Sequence, residues 1–136
     1  MTAGKTHDQI TWALSGFLIG GYALAGYYAF AAAGGALVGL WLSPDLDCVH
    51  SQAKRRWRSL GLGWLWYPYR QIVPRHRHPL SHLPILGTAG RLVYLGWPLL
   101  VWGDPAWLIW WTWAVAATVG LAVADLGHWV ADGCPL

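Results

Sequence analysis

Histidine and aspartate side chains fall into four short clusters at the edges of long apolar runs in this chain. The chain has six histidines and six acidic residues, all of them aspartate, although only 11% of its residues are charged. Imidazole and carboxylate groups together form the ligand set of zinc and related divalent ions. The pattern therefore predicts a metal site built from His7-Asp8, Asp45-x-Asp47, His76-x-His78-x3-His82 and Asp125-x2-His128-x3-Asp132.

The composition indicates a protein embedded in lipid. Hydrophobic residues make up 56% of the chain and mean hydropathy is +0.36, which is too apolar for an ordinary soluble domain of this length. The length fits one domain, residues 1–136. Most lysines and arginines lie between residues 54 and 77, a clustering typical of a cytoplasmic loop beside anionic lipid. No other nucleic-acid signal accompanies it, so we expect membrane lipid, and no nucleic acid, as a partner.

The first apolar run is too long for one straight membrane helix. Residues 9–43 carry no charged side chain, and a helix of that length would measure about 50 Å against a hydrocarbon core of about 30 Å. Glycines at 20–21, 26 and 34–35 offer places to turn. We predict a hairpin of helices at roughly 9–30 and 33–43, or an earlier turn near Gly26 that would lengthen the second helix.

A second apolar pair, residues 83–102 and 106–124, is separated by the turn signal Gly103-Asp104-Pro105. Between the pairs, Ser43-Pro44 predicts a helix start. Residues 45–78 are basic and aromatic, and we interpret them as an interfacial helix followed by an extended stretch bounded by Pro68 and Pro74. The predicted fold is all-α, a membrane-embedded bundle of about four helices in two hairpins, with an interfacial helix and a basic loop between them.

Two hairpins would bring all four clusters to one membrane face, because each hairpin returns the chain to the side on which it began. The positive-inside rule makes that face cytoplasmic. We therefore expect an integral protein of a bacterial inner membrane, or of a thylakoid membrane, whose metal site faces the cytoplasm. The spacing Gly16-x3-Gly20 is compatible with a homo-oligomer.

The C-terminal cluster is the best local signal. Asp125, His128 and Asp132 lie at i, i+3 and i+7, which places them on one helical face. The alternative is a helix end emerging into water, where His128 would suit the negative helix terminus but the acids would not. For Asp45 and Asp47 the alternative is helix-start chemistry, and His7-Asp8 could equally cap the first helix.

The middle histidines adjoin two arginines. His78 is expected just outside a helix that begins at Pro79, with His82 in its first turn. Either His76 or His78 could be the second ligand here, and Arg77 suggests a site that handles anions. Arg91 lies inside an apolar run and is expected to pair with an acid such as Asp125 or to face the site.

At these residues the chain resembles the YdjM-like inner-membrane metal-dependent hydrolases, and more closely the small uncharacterised metal-binding membrane proteins of cyanobacteria. The resemblance follows the order of the whole chain and rests on Thr6-His7-Asp8, Ser43-Pro44-Asp45-Leu46-Asp47, His76-Arg77, Ser81-His82, Arg91 and His128-x3-Asp132. It implies a compact membrane protein with a metal site at one face and a hydrolase role. The ordering is also distantly similar to that of zinc-dependent phospholipase C enzymes.

Two functions follow as hypotheses. The first is a hydrolase that acts on a phosphoester or phospholipid-like substrate through a divalent metal, zinc being the expected ion. Its ligands would come from His7, Asp8, Asp45, Asp47, His76, His82, His128 and Asp132, with Asp125 as a supporting partner or general base and Arg77 or Arg91 on the substrate. The second is a non-catalytic metal-binding protein that stores, senses or acts as a scaffold.

Overall fold

The computed structural model describes residues 3–48, 50–73, 78–103 and 110–133. Every regular element within these ranges is helical. The α-helices are α1 (Ala3–Gly20), α2 (Tyr22–Ala25), α3 (Tyr28–Val38), α4 (Gln52–Ser59), α5 (Trp66–Ile72), α6 (Pro79–His82), α7 (Pro84–Trp102) and α8 (Trp111–Ala131), and short 3-10 helices cover Pro44–Asp47 and Gly63–Leu65. The all-α prediction is thus confirmed for the described residues.

The first hairpin turns earlier than the preferred prediction. Helix α1 ends at Gly20 and α3 begins at Tyr28, so the boundaries 9–30 and 33–43 are wrong and the alternative turn near Gly26 is correct. Gly26 has φ +56°, a left-handed conformation that costs glycine little and other residues more. Because three glycine sites were available, composition alone did not decide among them.

Helices α3 and α8 pack at very short range. A Cβ atom added to Gly35 would lie 1.8 Å from the carbonyl oxygen of Ala117, and one added to Gly120 would lie 1.7 Å from that of Ala32. Each helix therefore presents a glycine to the backbone of the other, as small residues do where helices approach closely. Helix α8 also contacts α1 and α7, so it holds the two halves of the chain together.

The middle segment is more helical than predicted. The Ser43 side chain accepts a hydrogen bond from the Asp45 amide at 3.3 Å, which confirms the helix start at Pro44. The extended stretch from Pro68 is wrong, because residues 66–72 form α5. Pro68 lies in the first turn of that helix, where the missing N–H would have had no intrahelical acceptor. Helix α5 places Trp66 and Tyr69 in a core with Leu46, Leu42 and Leu121.

The outside of the helices is largely apolar. Helix α8, Trp111–Ala131, is long and apolar enough to cross a membrane, and only 28% of its most apolar window is buried. It is the one helix of this kind among the described residues. Large apolar side chains are exposed on several other helices as well, including Phe17, Leu24, Phe30, Ile85 and Val93.

Candidate metal centre

Four sequence-distant donors meet at one end of the bundle. Asp45 comes from the 3-10 helix after α3, His82 from the end of α6, His128 from the last turn of α8, and Asp132 from the residue that caps α8. One ligand atom from each of the four can be chosen so that all lie within 4.8 Å of one another. The expectation that clusters distant in sequence come together therefore holds for these four residues.

The distances suit an ion better than direct hydrogen bonds. His128 Nε2 lies 3.5 Å from Asp45 Oδ1 and 3.4 Å from Asp132 Oδ2, and His82 Nε2 lies 3.8 Å from the same Asp45 oxygen. His128 Nε2 is buried and has no hydrogen-bond partner among the described residues. Tetrahedral zinc with bonds of about 2.0–2.1 Å to nitrogen and oxygen separates its ligands by roughly 3.3–3.4 Å. The donor set and its spacing therefore fit a divalent ion.

Asp47 lies behind His82 and orients its ring. The Ser81 hydroxyl is 3.0 Å from Asp47 Oδ2 and 2.9 Å from His82 Nδ1. If it donates to the carboxylate, the stronger acceptor, it accepts from the Nδ1–H of His82, which leaves Nε2 with a lone pair directed at the other donors. The His78 carbonyl, 2.9 Å away, is a competing acceptor for that hydroxyl. The arrangement is that of a carboxylate that supports a metal-binding histidine.

His7 adjoins the four donors from the first helix. Its Nε2 atom lies 3.2 Å from Asp132 Oδ1, and its ring stacks on that of His128 with centroids 3.8 Å apart. Asp132 thus faces His7 with one oxygen and His128 with the other. His7 fixes the Asp132 carboxylate, and its ligand role stays a prediction.

Asp8 pairs with a cation that the sequence did not reveal. Arg56, on α4, bonds both carboxylate oxygens of Asp8, with Nη1 3.3 Å from Oδ1 and a second, shorter bond from Nη2 to Oδ2. Arg56 Nη1 also donates to the Leu40 carbonyl at 2.6 Å. The pair ties α1 to α4, and Asp8 as a metal ligand stays a prediction that this pairing does not favour.

Arg91 and Asp125 form a buried ion pair between α7 and α8. Arg91 is 0% exposed and Asp125 is 1% exposed. Arg91 Nη2 bonds Asp125 Oδ2, which also accepts from the Thr88 hydroxyl. The predicted pairing is confirmed. Asp125 lies one turn before His128 on α8, so the pair supports from inside the protein the helix that carries His128.

Arg91 also holds the α6–α7 corner. Its Nη1 donates to the Ser81 carbonyl at 3.0 Å. A Cβ atom on Gly87 would lie 2.3 Å from that same carbonyl oxygen, so the corner requires glycine there. A contact between Arg91 and a substrate stays a prediction. The complete burial of Arg91 does not favour such a contact.

Burial and neighbouring polar groups shift the pKa values of Asp45 and His7. Burial alone would raise the pKa of Asp45, but the adjacent imidazoles of His128 and His82 outweigh it and hold that pKa below its ordinary value. Burial, with His128 nearby, lowers the pKa of His7 although Asp132 opposes the shift. An ionised carboxylate and a neutral imidazole are the forms that bind a cation.

A narrow cleft opens beside the donors. Its volume of about 20 Å³ exceeds the roughly 10–15 Å³ that one water requires on the same measure. His7, Asp45 and His128 line it, together with Asp8 and Arg56. The Asp45 side chain is 23% exposed, so the cluster communicates with solvent through this cleft.

Several predicted residues stand apart from the four donors. His76 and Arg77 lie outside the described residues. The His78 ring accepts a hydrogen bond from the Leu80 amide through Nδ1 at 3.2 Å, as a residue just before a helix does. Sequence reasoning gave no role to Arg56 or Thr88, because nothing local in the sequence marks a partner 48 or 37 residues away.

Comparisons with known proteins support metal binding. A family model described as uncharacterized metal-binding protein, DUF2227, matches residues 2–114. A protein of Aquifex aeolicus (strain VF5), described as an uncharacterized protein, is 44% identical over 62 residues, which is 45% of this chain and 41% of that relative. The chain thus spans about two fifths of the length of the curated relative it matches. No solved structure matches it.

The family match covers only two of the four clustered donors. The matched residues include Asp45 and His82 and end before His128 and Asp132. The structure supplies the second pair by bringing the end of α8 to the same point. Because the family model matches residues 2–114 of the 136 in this chain, the chain belongs to the DUF2227 family of metal-binding proteins.

Proposed function

We propose that this protein is a membrane-embedded, metal-dependent hydrolase that acts on a phosphoester or phospholipid-like substrate. The observation that carries the proposal is the cleft: Asp45, His128 and their neighbours border a space that reaches solvent, instead of being sealed in the core. The YdjM-like resemblance points the same way. Zinc, the expected ion, lowers the pKa of a coordinated water to about 7 and polarises a scissile group.

The residues of the chain would divide the remaining work. Asp45, His82, His128 and Asp132 would hold the ion. Ser81 and Asp47 would keep His82 in the tautomer that leaves Nε2 available. Arg91 and Asp125 would fix the helices that carry these ligands. The burial of Asp125 and its bonds to Arg91 and Thr88 favour this supporting role over that of a general base.

Membrane embedding is supported by the distribution of polarity. Inside the protein lie charged and polar side chains, including Arg91, Asp125, His128 and Thr88. Outside lie large apolar side chains such as Phe17, 80% exposed, and Leu24, 96% exposed. A protein in water hides such side chains, whereas lipid is a suitable solvent for them. Helix α8 is largely unburied, unlike the core helix of a soluble protein. We assign the cytoplasmic face to the site from the basic segment at residues 54–77.

A second candidate, a non-catalytic metal-binding protein, is favoured by the donor count. Two imidazoles and two carboxylates complete a zinc tetrahedron, and four protein ligands are typical of closed structural sites. A catalytic zinc site keeps a position for water. The two candidates therefore differ in whether a fifth position is available in the cleft.

The first experiment measures metal on purified protein in detergent. We expect elemental analysis to find a stoichiometric divalent ion in the wild type, and large losses in Asp45→Ala and His128→Ala. His50→Ala is the matched control, because His50 is exposed and lies outside the donor group. Unchanged metal content in His128→Ala would show that the four residues do not form one site.

The second experiment separates the two candidates. Phosphomonoesters, phosphodiesters and short-chain phospholipids would be offered to the zinc-loaded protein, and the cobalt-substituted protein would be examined by visible absorption. The hydrolase predicts turnover that His128→Ala abolishes, and a cobalt spectrum that changes when phosphate is added. A strong four-coordinate spectrum that phosphate leaves unchanged, with no turnover, would establish the non-catalytic candidate.

A further inference from the structure

One arginine borders the metal cleft and makes no hydrogen bond to the four clustered donors, Asp45, His82, His128 and Asp132. Arg56 lines the cleft together with His7, Asp45 and His128, and no other lysine or arginine is found among the described residues that line it. Arg91 is fully buried, so it cannot reach a molecule that enters this way. A cation at the mouth of a metal site is placed to contact the anionic part of a ligand.

The Arg56 guanidinium is oriented and still accessible. Asp8 takes two of its hydrogen bonds and the Leu40 carbonyl takes a third. An arginine has five N–H donors in a planar fork, so two remain for a ligand. Its side chain is 28% exposed. Asp8 and Leu40 thus hold the fork in place, which reduces the entropy lost when it binds an oxyanion.

An oxyanion in the cleft would be recognised by hydrogen bonds and by contact with the ion, because the charges there balance one another. With a divalent ion in place, the charges of Asp45 and Asp132 balance it, and Asp8 balances Arg56. Recognition must then come from directional bonds rather than from a net positive field. A phosphate group offers several oxygens, so it can contact the ion and the arginine fork at once.

We propose that Arg56, oriented by Asp8, is the residue that recognises a phosphate group at the metal site. This inference rests on the proposed metal centre, and it does not require turnover. Inorganic phosphate and the headgroup of a phospholipid share the chemistry that Arg56 would bind. Arg56 takes over the anion-binding role that the sequence suggested for Arg77 or Arg91.

Calorimetric titration of inorganic phosphate into the zinc-loaded protein in detergent tests the proposal. We expect Arg56→Gln to weaken binding by about tenfold or more, as expected for one lost charge-assisted hydrogen bond. Arg56→Lys should fall between, because lysine keeps the charge and loses the fork. Arg55→Gln removes the same charge from the neighbouring exposed position of α4, and it should bind phosphate as the wild type does.

The same titration is repeated with dihexanoyl phosphatidic acid, a short-chain lipid, to test whether the phosphate group belongs to a lipid headgroup. Tighter binding of this lipid than of phosphate, with the same loss in Arg56→Gln, supports the proposal and assigns a lipid headgroup. Equal phosphate affinity in the wild type, Arg56→Gln and Arg56→Lys overturns it. The zinc content of each variant is measured by elemental analysis before titration. If Arg56→Gln has lost its zinc, the phosphate affinity of Arg56→Lys is compared with that of Arg55→Gln, and weaker binding by Arg56→Lys supports the proposal. Phosphate binding that depends on Arg56 without any turnover would refute the hydrolase and leave this inference standing.

Discussion

Two regions of helix α8 are held to their neighbours in opposite ways. At the donor end, α7 and α8 are joined by a buried ion pair between Arg91 and Asp125. Farther along α8, Gly120 and Gly35 bring α3 and α8 so close that no side chain fits between the backbones. The first region depends on the charge of Arg91 and Asp125. The second depends on glycine, because any side chain there would meet the backbone of the other helix. Substitutions at Ser81 and at Gly120 should therefore separate metal binding from assembly of the fold, whereas a substitution at Arg91 should affect both.

The largest expected effect is at the buried ion pair. Arg91→Met leaves Asp125 buried without its cation, and breaking such a pair in this way costs about 3–5 kcal/mol. Thermal unfolding in detergent should show the loss, and metal content should fall because His128 lies on the same helix. If the double variant Arg91→Met/Asp125→Leu restores stability, then the unpaired charge, rather than lost packing, is the cause.

The next effect is at the glycine contact. Gly120→Ala places a methyl group 1.7 Å from the Ala32 carbonyl, so the helices must separate, at about 1–3 kcal/mol for overpacking. Gly34→Ala is the matched control, because nothing lies within 4 Å of a Cβ at that position. We expect that control to be neutral or slightly stabilising, since alanine favours helix more than glycine does. Equal destabilisation by the two variants would contradict the close approach.

The smallest effect on stability should be the most informative about the metal. Ser81→Ala removes the hydroxyl between Asp47 and His82, and loss of such a supporting contact lowers metal affinity by about 10–100-fold. The unfolding temperature of the metal-free protein should change far less than in Gly120→Ala. Competition with a zinc chelator measures the affinity, and an unchanged value would remove Asp47 and Ser81 from the account of the site.

The sequence predicted those parts of the molecule that are set by local rules. Pro79 begins α6 and Ser43 caps the 3-10 helix at Pro44, as the residue types there require. The spacing of His128 and Asp132 along one helix was readable for the same reason. We predicted that these residues meet Asp45 and His82 because two hairpins return the chain to the side on which it began. The preferred position of the first turn was nevertheless wrong.

The rest depends on contacts between distant residues. Arg56 was read only as part of a basic run, yet its side chain turns inward to Asp8 while Arg55 beside it stays exposed. The α3–α8 approach needs Gly35 opposite Ala117 and Gly120 opposite Ala32, a register that no local pattern encodes. Asp47 lies two residues from the donor Asp45 in sequence, but the Ser81 hydroxyl lies between its carboxylate and His82.

The corner between α6 and α7 has a consequence for ion selection. The Ser81 carbonyl is clamped by Arg91 and closely approached by Gly87, so the backbone that carries His82 has little room to shift. A rigid ligand cannot follow ions of different radius, and large cations such as calcium also need more oxygen donors at longer range than this group offers. A rigid His82 would therefore make the site selective for ions of one radius.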